Sequence, residues 1–353
     1  MSSRTGGSLV VASLLAHGTT HAFGVPGESY LPVLDALHDA ADRLSFVVCR
    51  QEGGAAYMAE AYGKLTGRPG VAIVTRGPGA SNAAIGIHTA AQDSTPLVVL
   101  VGQVGSDAVD REAFQEIDYR RMFGSVAKWA AQVDRADRIP EYMSRAFGTA
   151  MSGRPGPVVL ALPEDVLAAT AEVDDLPPAV PVRAAPAPQD VAEAHALLAQ
   201  ASRPLVLVGG SRWDPDACAM LRAWAERNAL PVACAFRRQD LFDNRHPLYA
   251  GDVGIGLNPR LAQRIRDADV LLVIGERLGE MTTQGYTLPA PPLPPQALIH
   301  VHPGPEELGR VYRPAVALCA APGEFLQAIG ARPALAAERW GERARAAHAE
   351  YEA

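Results

Sequence analysis

The chain has little of what would place it outside the ordinary globular proteins. Its 353 residues include 4 cysteines, none in the Cys-x-x-Cys spacing that indicates a zinc site, and aromatic residues make up 6%. No run of about 18 apolar residues occurs, and the N-terminus has no apolar signal core. We therefore expect neither a disulfide framework nor a membrane span, but reduced core thiols and a cytoplasmic protein.

The charge balance argues against nucleic acid as the main partner. The formal net charge is −7 and no basic stripe is present, whereas nucleic-acid-binding domains normally carry a basic patch. With 48% hydrophobic and 20% charged residues, the composition is typical of a globular protein, and the length suggests two or three domains. A small-molecule ligand is therefore favoured.

Strand-like apolar runs alternate with helix-length amphipathic segments, which predicts α/β domains with parallel sheets. In the first half these runs are residues 21–25, 44–49, 71–75, 97–101 and 158–162. In the second half they are residues 205–208, 231–234, 270–274 and 297–301.

The predicted fold class is α/β, with two doubly wound, mainly parallel-sheet domains. The first domain is expected over residues 1–170 and a second, Rossmann-like domain over residues 190–332. Residues 171–189 are proline-rich and predict an extended linker. Residues 333–353 predict a charged C-terminal helix with no further strand to pack upon.

Glu52 is the most informative single residue. It follows the strand candidate 44–49 and opens a helix-like run, and such corners bind ligands in open parallel sheets. Gly53 and Gly54 leave room for a flat ring against the backbone. A glutamate at a helix N-terminus also stabilises the helix simply by complementing its dipole. The residue alone leaves both interpretations open.

Four motifs in a fixed order surround this acid. They are Phe-Gly-Val-Pro-Gly-Glu at 23–28, Arg-Gln-Glu-Gly-Gly-Ala-Ala at 50–56, Thr-Arg-Gly-Pro-Gly-Ala-Ser-Asn at 75–82 and Asp-Ser-Thr-Pro at 93–96. Together they resemble the pyrimidine-binding domain of thiamine-diphosphate enzymes of the acetolactate-synthase group. The resemblance extends over nearly the whole chain and implies that a Rossmann-like middle domain follows.

The resemblance implies thiamine diphosphate as the cofactor and gives residues their roles. Glu52 would be the catalytic carboxylate that hydrogen-bonds N1′ of the aminopyrimidine and shares a proton with it. The residues that would border the cofactor are Pro26, Gly27, Thr75, Gly77, Pro78, Asn82 and Gln115. For Asn82, a helix N-cap or first-turn hydrogen bond is equally open.

The Phe-Gln-Glu run at 114–116 also resembles acetolactate synthases. Gln115 would reach the substrate or the cofactor amine, and Phe114 would wall the pocket for a 2-oxo acid. Lys128 corresponds to a family lysine near the entrance, although a solvated surface charge is the alternative.

His88 and Gln92 lie four residues apart on one predicted helix face, as candidate proton carriers near the substrate. A half-buried, hydrogen-bonded role for His88 stays open. Related decarboxylases place histidines near Gln92 and Asp93, and this chain has no such pair. Carboligation is therefore favoured over simple decarboxylation.

No metal site is predicted in this chain. His300 and His302 share a strand face, but no cysteine or acidic cluster accompanies them. The family's Gly-Asp-Gly and Asn-Asn motifs, which hold the diphosphate through Mg²⁺, are not found, and Gly251-Asp252-Val253 is the nearest sequence. The resemblance thus implies a separate diphosphate-binding domain, toward which the C-terminal helix would lead. A fragment, a broken reading frame and a split enzyme remain open.

FAD binding by the second domain is an open question. Gly209-Gly210 and Gly275-Glu276-Arg277 resemble segments that bind FAD in acetolactate synthases. Residues 235–240 depart from the expected loop, and His300-Val301-His302 stands where acidic residues would meet the ribose. A purely structural Rossmann-like domain is the alternative.

The leading hypothesis is a thiamine-diphosphate-dependent 2-oxo-acid decarboxylase or carboligase of acetolactate-synthase type, inactive as an isolated chain. Its substrate would be a 2-oxo acid such as pyruvate, and its assembly a homodimer or higher homo-oligomer. The alternative is a catalytically silent binding or scaffold protein.

Overall fold

Two sheets, each of six parallel strands, organise the protein. The computed structural model describes residues 3–353. The chain divides into one unit that ends at Pro181 and a second unit, Val182–Ala353. This architecture confirms the predicted α/β class with two parallel-sheet units. The division falls inside the predicted linker, whose residues 172–187 form neither helix nor strand.

The sheet of the first unit has the order β3-β2-β4-β5-β7-β6. Its central strands are buried along their whole length because helices cover both faces. The strands of this unit are β1 (Arg4–Thr5), β2 (His21–Gly24), β3 (Ser45–Val48), β4 (Gly70–Val74), β5 (Leu97–Gln103), β6 (Trp129–Gln132), β7 (Pro157–Pro163) and β8 (Thr170–Ala171). The short strands β1 and β8 pair separately and antiparallel.

Within residues 3–181, seven helices accompany this sheet. They are α1 (Gly6–Ala16), α2 (Leu31–Asp39), α3 (Glu52–Thr66), α4 (Pro78–Asp93), α5 (Tyr119–Phe123), α6 (Ile139–Met151) and α7 (Glu164–Ala168). One apolar core lies between the sheet and α1, α2, α6 and α7, and the other between the sheet and α3, α4 and α5.

Small residues let α3 and α4 pack closely. A Cβ built on Gly86 of α4 would lie 2.5 Å from the Cβ of Ala56 in α3, so only glycine permits this approach. The same α3 packs on β4, where a Cβ on Gly70 would overlap the carbonyl oxygen of Ala59. The N-termini of α3 and α4 are therefore held side by side at one edge of the sheet.

The second unit repeats this plan with the strand order β11-β10-β9-β12-β13-β14. Its strands are β9 (Pro204–Val208), β10 (Val232–Ala235), β11 (Tyr249–Val253), β12 (Val270–Ile274), β13 (Ala297–His302) and β14 (Val316–Cys319). Its helices are α8 (Pro188–Gln200), α9 (Pro215–Asn228), α10 (Pro259–Asp267), α11 (Pro322–Gly330) and α12 (Gly341–Glu352).

The C-terminal helix corrects one sequence expectation. The expectation that it has no strand to pack upon is wrong, because α12 packs on β11 and α10 of the second unit. The Nδ1 of His348 donates to the carbonyl oxygen of Tyr249 at 3.0 Å, and Arg264 and Glu350 form an ion pair at 2.6 Å. Ala344 and Ala347, on the inner face of this helix, are buried. The helix thus completes the second unit.

The four cysteines are free thiols, as the sequence predicts. Their placement in the core is only partly right. Cys234 is buried, Cys49 and Cys218 are intermediate, and Cys319 is exposed.

Candidate functional site

In the first sheet, β3 is added on one side of β2, and β4 and the later strands are added on the other side. The direction in which the strands are added therefore reverses between β2 and β4. Because β2 pairs with β3 on one side and β4 on the other, the carboxyl ends of β2 and β4 open onto a crevice. The loops that follow these two strands meet there. A Cβ built on Gly27 would lie 2.6 Å from the Cβ of Thr75, so the approach requires glycine. Because Gly27 has no side chain, the two loops can meet at the floor of the crevice.

Glu52 stands at this edge of the sheet as the first residue of α3. Gln51 caps the helix, since its side-chain oxygen accepts a hydrogen bond from the amide of Gly54 at 3.0 Å. Glu52 Oε2 accepts a hydrogen bond from Asn82 Nδ2 at 2.9 Å. The second oxygen, Oε1, lies 3.4 Å from the position that a Cβ on Gly79 would take. Asn82 therefore orients one carboxylate oxygen while the other lies over the backbone of α4.

The electrostatic surroundings favour an anion at this position. The N-termini of α3 and α4 both lie beside the Glu52 carboxylate, and helix N-termini carry partial positive charge. Burial raises the pKa of Tyr30, and the negative charge of Glu52 raises it further. The Tyr30 hydroxyl therefore stays protonated at neutral pH, and it donates to the carbonyl oxygen of Val25. This bond holds the start of the loop that carries Gly27.

The loop after β4 is clamped by hydroxyl groups. Ser29 and Thr75 share a hydrogen bond of 2.8 Å between their hydroxyl oxygens, and the amide of Arg76 donates to Ser29 Oγ at 3.3 Å. The amide of Gly77 donates to the hydroxyl of the buried Tyr119 at 2.8 Å. Gly77 has φ +55° and ψ −104°, a conformation that residues with a side chain rarely adopt. The crevice wall is therefore held in one shape.

The Phe-Gln-Glu run lies against this wall. A Cβ built on Gly77 would lie 2.7 Å from the carbonyl oxygen of Gln115. Glu116 fixes the loop that carries Gln115, because its carboxylate accepts hydrogen bonds from the amides of Asp110 at 2.8 Å and Ala113 at 3.3 Å. Phe114 is 73% exposed. An aromatic side chain this exposed can contact a ligand or another protein surface.

The structure thus gathers most of the sequence-predicted site residues around one crevice. These are Pro26, Gly27, Glu52, Thr75, Gly77, Pro78, Asn82 and Gln115, with Phe114 beside them. The Asn82 side chain donates to the Glu52 carboxylate, and its contact with a cofactor stays a prediction.

His88 and Gln92 are not brought to the crevice floor. Both lie on the exposed side of α4, and the rise of a helix carries His88 about 15 Å along the axis from Pro78. Their predicted role near the substrate stays a prediction.

Lys128 lies at the opposite edge of the sheet. It directly precedes β6, at the amino ends of the parallel strands. Its ammonium group donates to the carbonyl oxygens of Thr149 at 2.6 Å and Ser152 at 2.5 Å, at the C-terminus of α6. A lysine there stabilises the helix end. The prediction of Lys128 as a substrate residue is not supported by this placement, because the sheet separates it from Glu52.

Sequence reasoning missed Ser29, Tyr119 and Arg76. Arg76 is largely buried and forms ion pairs with Glu28 at 3.4 Å and Glu164 at 3.0 Å. Tyr119 lies four residues before Phe123 and so looks like an ordinary core aromatic of a short helix. Their roles depend on contacts between distant parts of the chain, for which the sequence carries no local signal.

The second unit has a crevice of its own, where the sheet order reverses between β9 and β12. The predicted FAD segments meet there, since Gly209-Gly210 follows β9 and Gly275-Glu276 follows β12. His300 and His302, at the end of β13, are both buried. They thus occupy interior positions and do not form a polar rim for a ribose.

Among the described residues, 3–353, no group of three or more histidine, cysteine, aspartate or glutamate side chains is placed to hold a metal ion. Over the same range, none of the helices combines the length and the apolar character that a membrane crossing needs.

Comparison with known proteins finds two family models along the chain. The thiamine pyrophosphate enzyme N-terminal TPP binding domain matches residues 4–122, and the thiamine pyrophosphate enzyme central domain matches residues 191–329. These matches lie in the first and the second unit, respectively.

Curated relatives are similar over most of this chain. The acetolactate synthase large subunit of Corynebacterium glutamicum is 35% identical over 314 residues, which are 87% of this chain and 49% of that protein. The acetolactate synthase isozyme 2 large subunit of Escherichia coli is 32% identical over 313 residues, 89% of this chain and 56% of that protein. A probable acetolactate synthase large subunit of Methanocaldococcus jannaschii is 33% identical over 315 residues. The chain spans about half the length of these relatives.

Proposed function

This chain belongs to the thiamine pyrophosphate enzyme family, and on that premise we propose that its first unit binds the aminopyrimidine of thiamine diphosphate in an enzyme of acetolactate-synthase type. One observation carries the proposal. The Glu52 carboxylate, oriented by Asn82 at 2.9 Å, stands at the crevice where the winding of the sheet reverses. A carboxylate there can share a proton with a ring nitrogen of the cofactor.

The residues around Glu52 fit a flat heteroaromatic ring. Gly27, Gly77 and Gly79 form a cradle in which any added Cβ would lie within 2.8 Å of a neighbouring atom. Glycines at these positions keep the backbone surface flat and close to the ring. Gly53 lies beside Asn82 on the other side of the acid. These glycines hold the loops in close contact beside the acid, where the proposed ring would lie.

Thiamine diphosphate, when bound, supplies a nucleophilic carbon for attack on 2-oxo acids. Glu52 would hold and exchange the proton at the ring nitrogen, and so favour the reactive tautomer of the aminopyrimidine. Asn82 would hold the carboxylate in a fixed orientation toward the ring nitrogen. The clamp of Ser29, Thr75 and Tyr119 would preserve the position of the crevice wall during turnover.

The proposed substrate is a 2-oxo acid such as pyruvate. Gln115 lies against the Gly77 turn, where its amide group can orient the substrate or the cofactor amine. Phe114 would form one wall of the substrate pocket. It would help to exclude water once a second protein surface covers that pocket. Carbon-carbon bond formation with a second carbonyl compound is the proposed outcome.

The diphosphate half of the site is proposed to lie on a separate diphosphate-binding domain that holds Mg²⁺ with oxygen ligands. A complete site then requires that domain in addition to the crevice described here.

We further propose a homo-oligomer in which the crevice lies near the subunit contact. Large apolar side chains are exposed around Glu52: Val48 at 63%, Tyr57 at 41%, Met58 at 49% and Ile85 at 55%. Such a cluster normally marks an interaction surface. His88 and Gln92 lie on the same exposed helix as Ile85 and would then face the partner.

The oligomer proposal is tested by Ile85→Asp, with Val180→Asp as the matched control. Val180 is 84% exposed in the segment between the units. The mass from analytical ultracentrifugation should fall toward one chain for Ile85→Asp and stay unchanged for Val180→Asp. Equal masses for all three proteins at every concentration would refute the proposed surface.

The cofactor proposal is tested by titration of thiamine diphosphate and Mg²⁺ into the full chain, with and without a candidate diphosphate-binding domain. Acetolactate formation from pyruvate is measured in the mixture. Glu52→Gln should lower the rate by about 10²- to 10⁴-fold, the usual contribution of general acid-base catalysis. Asp39→Asn, an exposed acid on α2, is the matched control. Undiminished turnover in Glu52→Gln would refute the role of this acid.

The same titration distinguishes a catalytically silent scaffold. A scaffold would form a stable complex with the candidate domain and yield no acetolactate at any cofactor concentration. Product formation by the mixture excludes that alternative.

A further inference from the structure

The second unit has the architecture of a ligand-binding sheet. Its winding reverses between β9 and β12, and ligands of open α/β sheets bind outside the carboxyl ends of the strands at this reversal. A bound dinucleotide needs two features there. Glycine turns must let the pyrophosphate approach the backbone, and the backbone amides must be available to its oxygens.

The glycine turns are present but pack against one another. A Cβ built on Gly210 would lie 1.9 Å from the carbonyl oxygen of Gly275. A Cβ on Gly209 would lie 2.3 Å from Glu276 Oε2. The glycines at the ends of β9 and β12 therefore make room for each other and for the Glu276 side chain. That space is where a pyrophosphate would lie.

The Glu276 carboxyl group is surrounded by donors of the same two turns. The hydroxyl of Thr282 donates to Glu276 Oε1 at 3.0 Å. Burial raises the pKa of Glu276, while the nearby backbone amides of Arg277 and Gly210 act in the opposite direction. The side chain thus lies where the amides of the two turns would meet a phosphate group in a nucleotide site.

The carbonyl groups of the same turns are engaged as well. The indole of Trp213 donates to the carbonyl oxygen of Gly209 at 2.8 Å. The guanidinium of Arg238 donates to the carbonyl oxygen of Gly210. The Nε2 of His300 donates to the backbone carbonyl oxygen of Glu276 at 2.8 Å. Side chains from three different elements therefore hold the closed arrangement in place.

The position expected for ribose is closed in a similar way. His302 Nδ1 accepts a hydrogen bond from the amide of Gly304 at 3.0 Å. Glu307, the nearby acid, is buried and pairs with Arg277 at 3.6 Å and with Arg310 at 3.0 Å. The Glu307 carboxylate is thus already engaged by two arginines.

We propose that the second unit is a self-filled nucleotide crevice, in which the Glu276 carboxylate occupies the anion position and prevents FAD and other adenine dinucleotides from binding. The residues present do not fit FAD, and the domain acts through its packing alone. This inference concerns the second unit and does not depend on the cofactor proposed for the first.

Three forms of the full chain test the proposal: the native protein, Glu276→Ala and Glu276→Gln. Each is titrated with FAD and, separately, with ADP by isothermal calorimetry, and each purified protein is examined for flavin absorbance. The native protein and Glu276→Gln, which keeps the crevice filled, should bind neither ligand. Glu276→Ala vacates the position of the carboxyl group, so it should bind ADP with an affinity at least about tenfold above the detection limit that the native protein does not reach.

Two results would overturn the proposal. The first is saturable FAD binding or retained flavin in the native protein. The second is a Glu276→Ala variant that keeps the native circular-dichroism spectrum and shows no gain in ADP affinity. If Glu276→Ala does not fold, Glu276→Ser, which leaves a smaller cavity, takes its place with the same expected result. Failure of the Glu52 experiments would leave these outcomes unchanged, because they measure a different unit.

Discussion

Gly77→Ala probes the most constrained backbone position of the candidate site. Gly77 has φ +55°, and an alanine there costs about 1–3 kcal/mol in backbone strain. Its Cβ would also lie 2.7 Å from the carbonyl oxygen and 2.8 Å from the Cβ of Gln115. Overlap of this kind costs about 1–3 kcal/mol. A small loop shift relieves part of both terms, so we expect the first unit to lose about 2–4 kcal/mol of unfolding free energy.

The assay must report on the first unit alone. Three of the four tryptophans, Trp213, Trp224 and Trp340, belong to the second unit, so intrinsic fluorescence would mainly follow that unit. Hydrogen exchange of peptides from β4 and β5, which are fully buried, reads the stability of the first unit directly. A loss of 2–4 kcal/mol predicts exchange about 30- to 1,000-fold faster in these peptides.

Gly54→Ala is the matched control. Gly54 lies inside α3, and a Cβ there meets nothing within 4 Å. Alanine should therefore stabilise the helix by about 0.5–1 kcal/mol. The reasoning would be refuted if Gly77→Ala changed the hydrogen-exchange rates of β4 and β5 by less than about threefold. A threefold change in rate corresponds to less than about 1 kcal/mol of unfolding free energy.

Three further predictions follow from individual contacts. Asn82→Ala removes the hydrogen bond that orients Glu52, so thiamine diphosphate affinity in the assembled enzyme should fall about tenfold, whereas Ser81→Ala should not change it. Asn228→Ala leaves the buried amide of Leu335 without its acceptor, and urea unfolding of the second unit should show a loss of about 2–4 kcal/mol. Burial lowers the pKa of His300 from 6.5 to about 4, so the unfolded state binds its proton first on acidification. Stability should therefore fall as the pH drops from 6.5 toward 4, and His300→Gln should flatten this dependence in urea titrations.

The sequence predicted the central strands well and the edges of the sheets poorly. In the two six-stranded sheets, the strands that the apolar runs do not indicate are β6, β11 and β14, and all three lie at sheet edges. A central parallel strand is covered on both faces and so requires a continuous apolar run, as Val270–Ile274 shows. An edge strand such as Val316–Cys319 alternates between buried and exposed positions and carries a weaker signal.

The candidate site shows the same division. Motif order predicted that Gly27, Glu52, Thr75 and Gln115 belong together, and the structure places them around one crevice. The motifs could not show that Lys128 lies at the far edge of the sheet, because that depends on the direction and order of the strands.

The sequence by itself determined two parallel α/β sheets and an acid at a strand-to-helix corner, because these features follow from the local period of apolar residues and from neighbouring glycines. The tertiary structure decided what that acid meets. Asn82 lies 30 residues away from Glu52, Ser29 lies 46 residues from Thr75, and Tyr119 lies 42 residues from Gly77. It also decided that Glu276 fills the crevice of the second unit. Contacts between distant residues depend on which strands become neighbours, and local sequence patterns do not carry that information.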